Sequence, residues 1–316
     1  SKDYVVIIDF IGNYEKNFLI PIALSGNYTY NKDALRRFVS EGSLLIPGDS
    51  TINFDLVSKK KIYESIDRAK FNDTKIIKDC YLHLKHKLGR IPNLADFDLY
   101  DSIDVLRIFQ NKTFGSYHKF LTKNEKDYKI KFTPLQEKYL EYVSSKFAAG
   151  KRVHELLAIK LCIENKENII TRLKERLLNE YKIKFKEVNY LPIINQLKQE
   201  FATGGAKATF QDAIFIDDNL NTHHQLIELL QDSNLKKQLL ELIEFGINRY
   251  KTNYTNTHKD TDLCLYQKYT YEDVCRLLNW EVNAVPLNIG GYKYDQRTNT
   301  MPVFINHDHD ANQGGK

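Results

Sequence analysis

Residues 73–93 read "DTKIIKDCYLHLKHKLGRIPN". Ile76, Ile77, Cys80, Tyr81, Leu84 and Leu88 recur at the three- and four-residue spacing of an amphipathic helix, and Gly89 is placed to stop it. Between them stand Lys75, Lys78, Lys85 and Lys87, so an apolar stripe is paired with a basic outer side. Lys78 and Lys85 lie seven apart and align, whereas residues 85 and 87 cannot share one face. Gly89 and Pro92 then predict a turn that carries Arg90, and Asn93 is suited to cap the turn that follows.

The same periodicity runs outward in both directions. Upstream, "SKKKIYESIDRAK" puts Ile62, Ile66 and Ala69 on one side of a helix; a helix over 33–40 follows Asn31, and another runs from Asn13 through Ile20 or beyond to Gly26. "LLIPGDSTINFD" suggests two extended pieces about a Pro-Gly turn. Residues 5–10, "VVIIDF", read as a strand covered on both faces, the kind found inside a parallel sheet. Such a strand needs neighbours, which predicts that the chain is a piece of something longer. Downstream, helices are expected at 101–109, 113–121, 134–165, 168–181, 190–201, 220–231 and 235–250. Pro134 suits a first helical position after Thr133, and Gly150 is placed to split the long span. "TGGAKATFQDAIFID" suggests a short strand, and the polar run 251–262 a linker. After the helix "YTYEDVCRLLNW", two alternating segments flank "QRTN" as a β-hairpin or adjacent strands. The expected fold is therefore mainly α, with a short N-terminal strand and a small C-terminal β element.

At 316 residues, 42% hydrophobic and 28% charged, the chain has the composition of an ordered protein rather than a disordered one. No apolar run reaches the roughly 18 residues of a membrane span. Cys80, Cys162, Cys264 and Cys275 are far apart and form no CxxC, which fits structural thiols in a reducing cytoplasm. The net charge of +5 is unevenly spread. Residues 56–90 hold ten Lys or Arg against four acids, and residues 148–186 hold ten against five. Local excesses of this kind suit either a polyanion or simply solvated helix faces. There is no phosphate loop, acidic box, GxSxG, HExxH or Rossmann glycine pattern. "NIGGY" lacks a phosphate-loop lysine and reads as a turn. The tail "HDHD" (307–310) carries metal-ligand residue types, but adjacent ligands on a strand point to opposite faces; His223 and His224 share that weakness.

Two stretches carry a resemblance. "LGRIPNLADFDLYDSIDVLRIFQNKTFGSYHKFL" is similar to a small helical repeat seen beside DNA-handling enzymes. "DYVVIIDFIGNYEKNFLIPIALSG" resembles the last strand of the second RecA-like lobe in bacterial superfamily II DEAD/DEAH-type helicases. "YTYEDVCRLLNW" with "NIGGYKYDQRTNTMPVFIN" looks like the start of the domain of unknown function that follows those cores, although the ending "NHDHDANQGGK" departs from the family pattern. Together with the periodicity, the resemblance leads to four expected regions: the tail of a RecA-like lobe (1–30), a helical module with a DNA-contact repeat (31–130), a helical bundle (131–255) and a truncated α+β domain (256–316). It implies an accessory nucleic-acid-binding region of an ATP-dependent DNA helicase or translocase, cytoplasmic, associated with restriction or phage defence. Its partners would be DNA, bound without sequence preference, and the rest of the helicase core. ATP and magnesium belong to the parent protein; this chain holds no catalytic, cofactor or metal residue by that reading. The expected DNA contacts are Lys78, Lys85, Lys87, Arg90, Lys112 and Lys119, with Tyr292, Lys293 and Arg297 as a second group able to stack on bases or touch the backbone. The competing readings are a metal-dependent nuclease built on the His-Asp tail and a helical scaffold for protein partners.

Overall fold

The computed structural model describes residues 16–26, 30, 32–41, 52–69, 73–283 and 292–303. These are mainly helical and fall into two compact units, 1–114 and 115–316. The predicted strand over residues 5–10 and the tail 307–310 lie outside the described residues.

In the first unit, α1 (Leu19–Ser25), α2 (Lys32–Glu41) and α3 (Leu56–Arg68) pack around Phe18, Ile22, Leu35, Val39, Ile62 and Ile66. Asp55 starts α3 by accepting from the amides of Val57 and Ser58 at 2.8 and 3.0 Å, and Gly26 ends α1 in the left-handed conformation. There follow α4 (Thr74–Leu88), α5 (Leu94–Leu99) and α6 (Leu106–Gln110). The helix expected over 101–109 begins only at Leu106, ahead of which the Asp104 side chain accepts from the Leu106 amide at 3.0 Å. The turn expected after Asn93 is itself helical, as α5.

The second unit is built around α9 (Val153–Ile163), on which every residue but Lys160 is buried. α8 (Pro134–Lys146), α10 (Ile169–Tyr181), α11 (Tyr190–Leu197) and α14 (Ser233–Asn253) surround it, with α10, α11 and α14 against α9 itself. The expected span 134–165 is indeed split at Gly150, and the reason is a close approach. Gly150 has φ +71°, and a Cβ there would lie 2.3 Å from the carbonyl oxygen of Gly246 in α14. At the start of α8 the Thr133 hydroxyl accepts from the Gln136 amide, while the Gln136 side chain accepts from the Thr133 amide at 2.8 Å.

Smaller elements complete the unit: α7 (Tyr117–Asn124), α12 (Gly205–Phe210), α13 (His224–Leu229) and α15 (Tyr271–Leu277). The short strand expected in 203–217 is replaced by α12 and one bridge, Ile216 to Thr222. Asp217 closes the turn between them by accepting from the amides of Asn219 and Asn221. α14 continues to Asn253, so it absorbs the start of the expected linker. At the C-terminal end two isolated antiparallel bridges, Tyr292 to Val303 and Asp295 to Thr300, flank the "QRTN" turn. They do not extend into a ladder, and the expected β element is not formed among the described residues. Tyr292, Tyr294, Met301 and Val303 are all exposed there, leaving no apolar face on which strands would be buried.

Candidate nucleic-acid interface

The cations expected to meet phosphate centre on α4. Asp73 begins this helix by accepting from the Lys75 amide at 2.8 Å, and Gly89 ends it with φ +67°. Ile77, Tyr81 and Leu84 face the core, which at roughly 1.5–3 kcal/mol per buried apolar side chain holds the opposite side outward. Lys78 and Lys87 are exposed and Lys85 is half-buried. Lys85, His86 and Lys87 occupy the last turn, where the helix dipole favours positive charge. Lys87 also lies over the ring of Tyr100, 4.8 Å from its centroid.

Arg90 is held within the fold by a carboxylate. Its guanidinium forks onto the buried Asp96 carboxylate at 2.7 and 3.0 Å, and the same carboxylate accepts from the Asn93 amide at 2.6 Å. Burial opposes ionisation of Asp96, but Arg90 and the Asn93 amide outweigh it and hold the pKa below the ordinary carboxylate value. Arg90 thus braces the "GRIPN" turn that leads from α4 into α5. Lys112 is exposed in the turn after α6, within the first unit.

The remaining expected contacts belong to the second unit. Lys119 is bound to Glu141 at 2.9 Å, which keeps it charged but satisfied. Arg297 donates to the Asn279 carbonyl and lies 3.4 Å from Glu281, so it ties the "QRTN" turn to the end of α15. The Trp280 indole donates to the Thr300 hydroxyl at 2.8 Å and fastens the same turn. Tyr292 is exposed and Lys293 half-buried beside it.

A cleft of about 410 Å³ opens beside α4. Asp79, His83 and Lys87, one turn apart in succession, line one side, and Tyr30, Tyr100 and Asp101 are among the residues opposite. Cys80 also lines it; burial pushes its thiol pKa up, so it is an apolar surface rather than a nucleophile. No spacing rule points to this cleft, because Tyr30 and Tyr100 are brought to α4 by tertiary packing alone.

The second unit contains a buried charge network that sequence reasoning missed. Arg152 donates through Nε to both oxygens of Glu155 at 3.0 and 3.1 Å, and through Nη1 to Asp262 at 3.1 Å and Asn279 at 2.7 Å. Arg276 lies 3.4 Å from Glu155 and 3.3 Å from Asp273, and Lys151 pairs with Asp273. Gln196 and Asn189 add amide donors to Glu155 and Asn279 at 3.1 and 2.9 Å. Burial alone would raise the Glu155 pKa, yet Arg152 and Arg276 bring it down to about 2. Arg152 is 2% exposed and Glu155 fully buried, so neither is open to a substrate. An Arg followed three residues later by Glu reads in sequence as a surface pair, which is why the motif carried no signal.

Among the described residues no group of three or more His, Cys, Asp or Glu is arranged to hold a metal, and all four cysteines are free thiols. The rings of His223 and His224 lie with centroids 4.4 Å apart, tilted by 36°, and no third ligand joins them among the described residues. No described helix is long and apolar enough to cross a membrane.

Comparison with known families finds two matches. Residues 263–314 match a domain of unknown function (DUF3427), a domain known to follow helicase cores. A comparison with curated proteins finds no match. Residues 77–254, more than half of the chain and including most of α4 and the bundle around α9, match a second domain of unknown function (DUF8090), and the chain belongs to that family.

Proposed function

We propose that the chain is an accessory, nucleic-acid-contacting region of an ATP-dependent superfamily II DNA helicase or translocase. The observation that carries this reading is the DUF3427 match at residues 263–314, since that domain follows helicase cores. ATP and magnesium would act in the core of the parent protein; this chain would guide the strand. The contact surface is the outward side of α4, with Lys78, Lys85 and Lys87 neutralising phosphates and Lys112 nearby in sequence. Phosphate contact of this kind positions DNA without reading its sequence. Arg90 and Lys119, both held by carboxylates, contribute less than their charge suggests.

The test is DNA binding by the full chain across a salt series. Each phosphate contact contributes roughly one unit to the slope of log affinity against log salt. Changing Lys78, Lys85 and Lys87 to Glu is expected to weaken binding at low salt and flatten that slope. Arg90 is left intact so that the turn keeps its brace. An unchanged affinity and slope in the folded triple variant would remove α4 from the interface.

A further inference from the structure

The cleft beside α4 contains an asymmetry that the cations alone do not explain. Lys87 lines the cleft together with Asp79 and Asp101, Lys78 is exposed next to Asp79 in sequence, and neither carboxylate forms an ion pair among the described residues. Two carboxylates against the single Lys87 ammonium leave the lining acidic, which disfavours phosphate. They accept readily from N–H donors. Two tyrosine rings, Tyr30 and Tyr100, line the same space, and the Ser102 hydroxyl adds a further polar group. A volume of about 410 Å³ lies within the range of roughly 300–1,000 Å³ of small-molecule sites and is ample for one planar heterocycle.

From this juxtaposition we infer that the cleft is a slot for an unpaired nucleobase, one bearing N–H donors on its Watson–Crick edge, while the strand's phosphates stay outside on Lys78 and Lys87. The inference rests on the proposed DNA contact by α4 and deepens it: the preferred form is single-stranded, because a paired base presents neither its face nor that edge. The base stacks against Tyr100, as bases do on the aromatic platforms of single-strand binders. Asp79 and Asp101 accept from its amino group, as carboxylates accept from cytosine N4. Lys87, already over Tyr100, closes the rim and bridges slot and phosphate track. Repulsion between the carboxylates and the backbone makes the slot selective for the base over the phosphate.

The experiment uses the full chain and two labelled strands of equal length, about 12 nucleotides, one oligo-dC and one with abasic residues at most positions. Both carry the same phosphate charge. The oligo-dC is expected to bind roughly 5–150-fold more tightly, the equivalent of one stacked base. Tyr100→Ala should erase that difference, and Tyr100→Phe, which keeps the ring, should preserve it. Equal affinities of the unaltered chain for the two strands, with a normal salt slope, overturn the slot and leave the phosphate surface standing. Equal losses in Tyr100→Ala and Tyr100→Phe also overturn it, since stacking does not need the hydroxyl. Failure to bind either strand overturns both the slot and the DNA-contact reading.

Discussion

Residues 56–90 and 148–186 have nearly the same surplus of Lys and Arg, but the second has more of its cations paired within the fold. In the first, Lys60, Lys75 and Lys78 are exposed and form no ion pair among the described residues. In the second, most cations are already spoken for. Half-buried Lys151 pairs with Asp273 and buried Arg152 with Glu155, Lys160 pairs with Glu244, and Arg176 with Glu164 and Glu180. Lys174 covers the Phe185 ring, and Lys186 donates to the Asp260 carbonyl. A count of charges therefore says little about a polyanion surface. What matters is whether each cation already has a partner within the same unit.

The contrast is most sharply tested at Arg152. Arg152→Ala leaves Glu155 charged and buried, and the loss expected is about 3–5 kcal/mol by denaturant unfolding. A loss under 1 kcal/mol would mean that water reaches Glu155 and that the two stretches differ less than described.

The second test is pH. Burial keeps the imidazoles of His118 and His154 neutral, with pKa values down to about 4. The unfolded chain takes up protons near the ordinary value of 6.5, so it binds more protons than the folded chain as pH falls from 6.5 to 4. Stability should decline through that window. It should decline further as pH drops below 4 toward 2, where the depressed carboxylates Glu155 and Asp273 lose their ionic stabilisation. His154→Gln, followed by denaturant midpoints across the series, should lessen the first decline. An unaltered slope would show that His154 is hydrated.

The smallest effect is expected at Lys78. Lys78→Ala should change stability by no more than about 0.5 kcal/mol, as an exposed side chain away from caps and pairs does. A loss above 1 kcal/mol would reveal a structural partner for Lys78 and weaken its assignment to a ligand surface.

The helices that were legible in sequence are those with local punctuation. Thr133 with Pro134, and Gly89, act within a few residues, so their signals survive in the chain alone. α12 was illegible because it buries none of its residues and therefore shows no apolar stripe. α13 begins late because Leu220 adopts φ +58°, a backbone choice that a leucine does not announce. At the candidate site, the basic side of α4 could be read from spacing. The bracing of Arg90 by Asp96 could not be read from residue types alone, and the cleft depends on Tyr30 reaching a helix some fifty residues away.

The Arg152 network has a consequence for how this chain can evolve. Arg152, Glu155 and Asn189 belong to the stretch matched by one family, while Asp273, Arg276 and Asn279 belong to the stretch matched by the other. Recombination at the junction between them would not exchange a self-sufficient cassette. It would strip Glu155 of Arg276, leave Lys151 without Asp273, and remove the side-chain carbonyl that holds Arg152 and Asn189 together. The boundary between the two matched stretches is therefore not a boundary of folding, and the two segments are expected to be inherited as a pair.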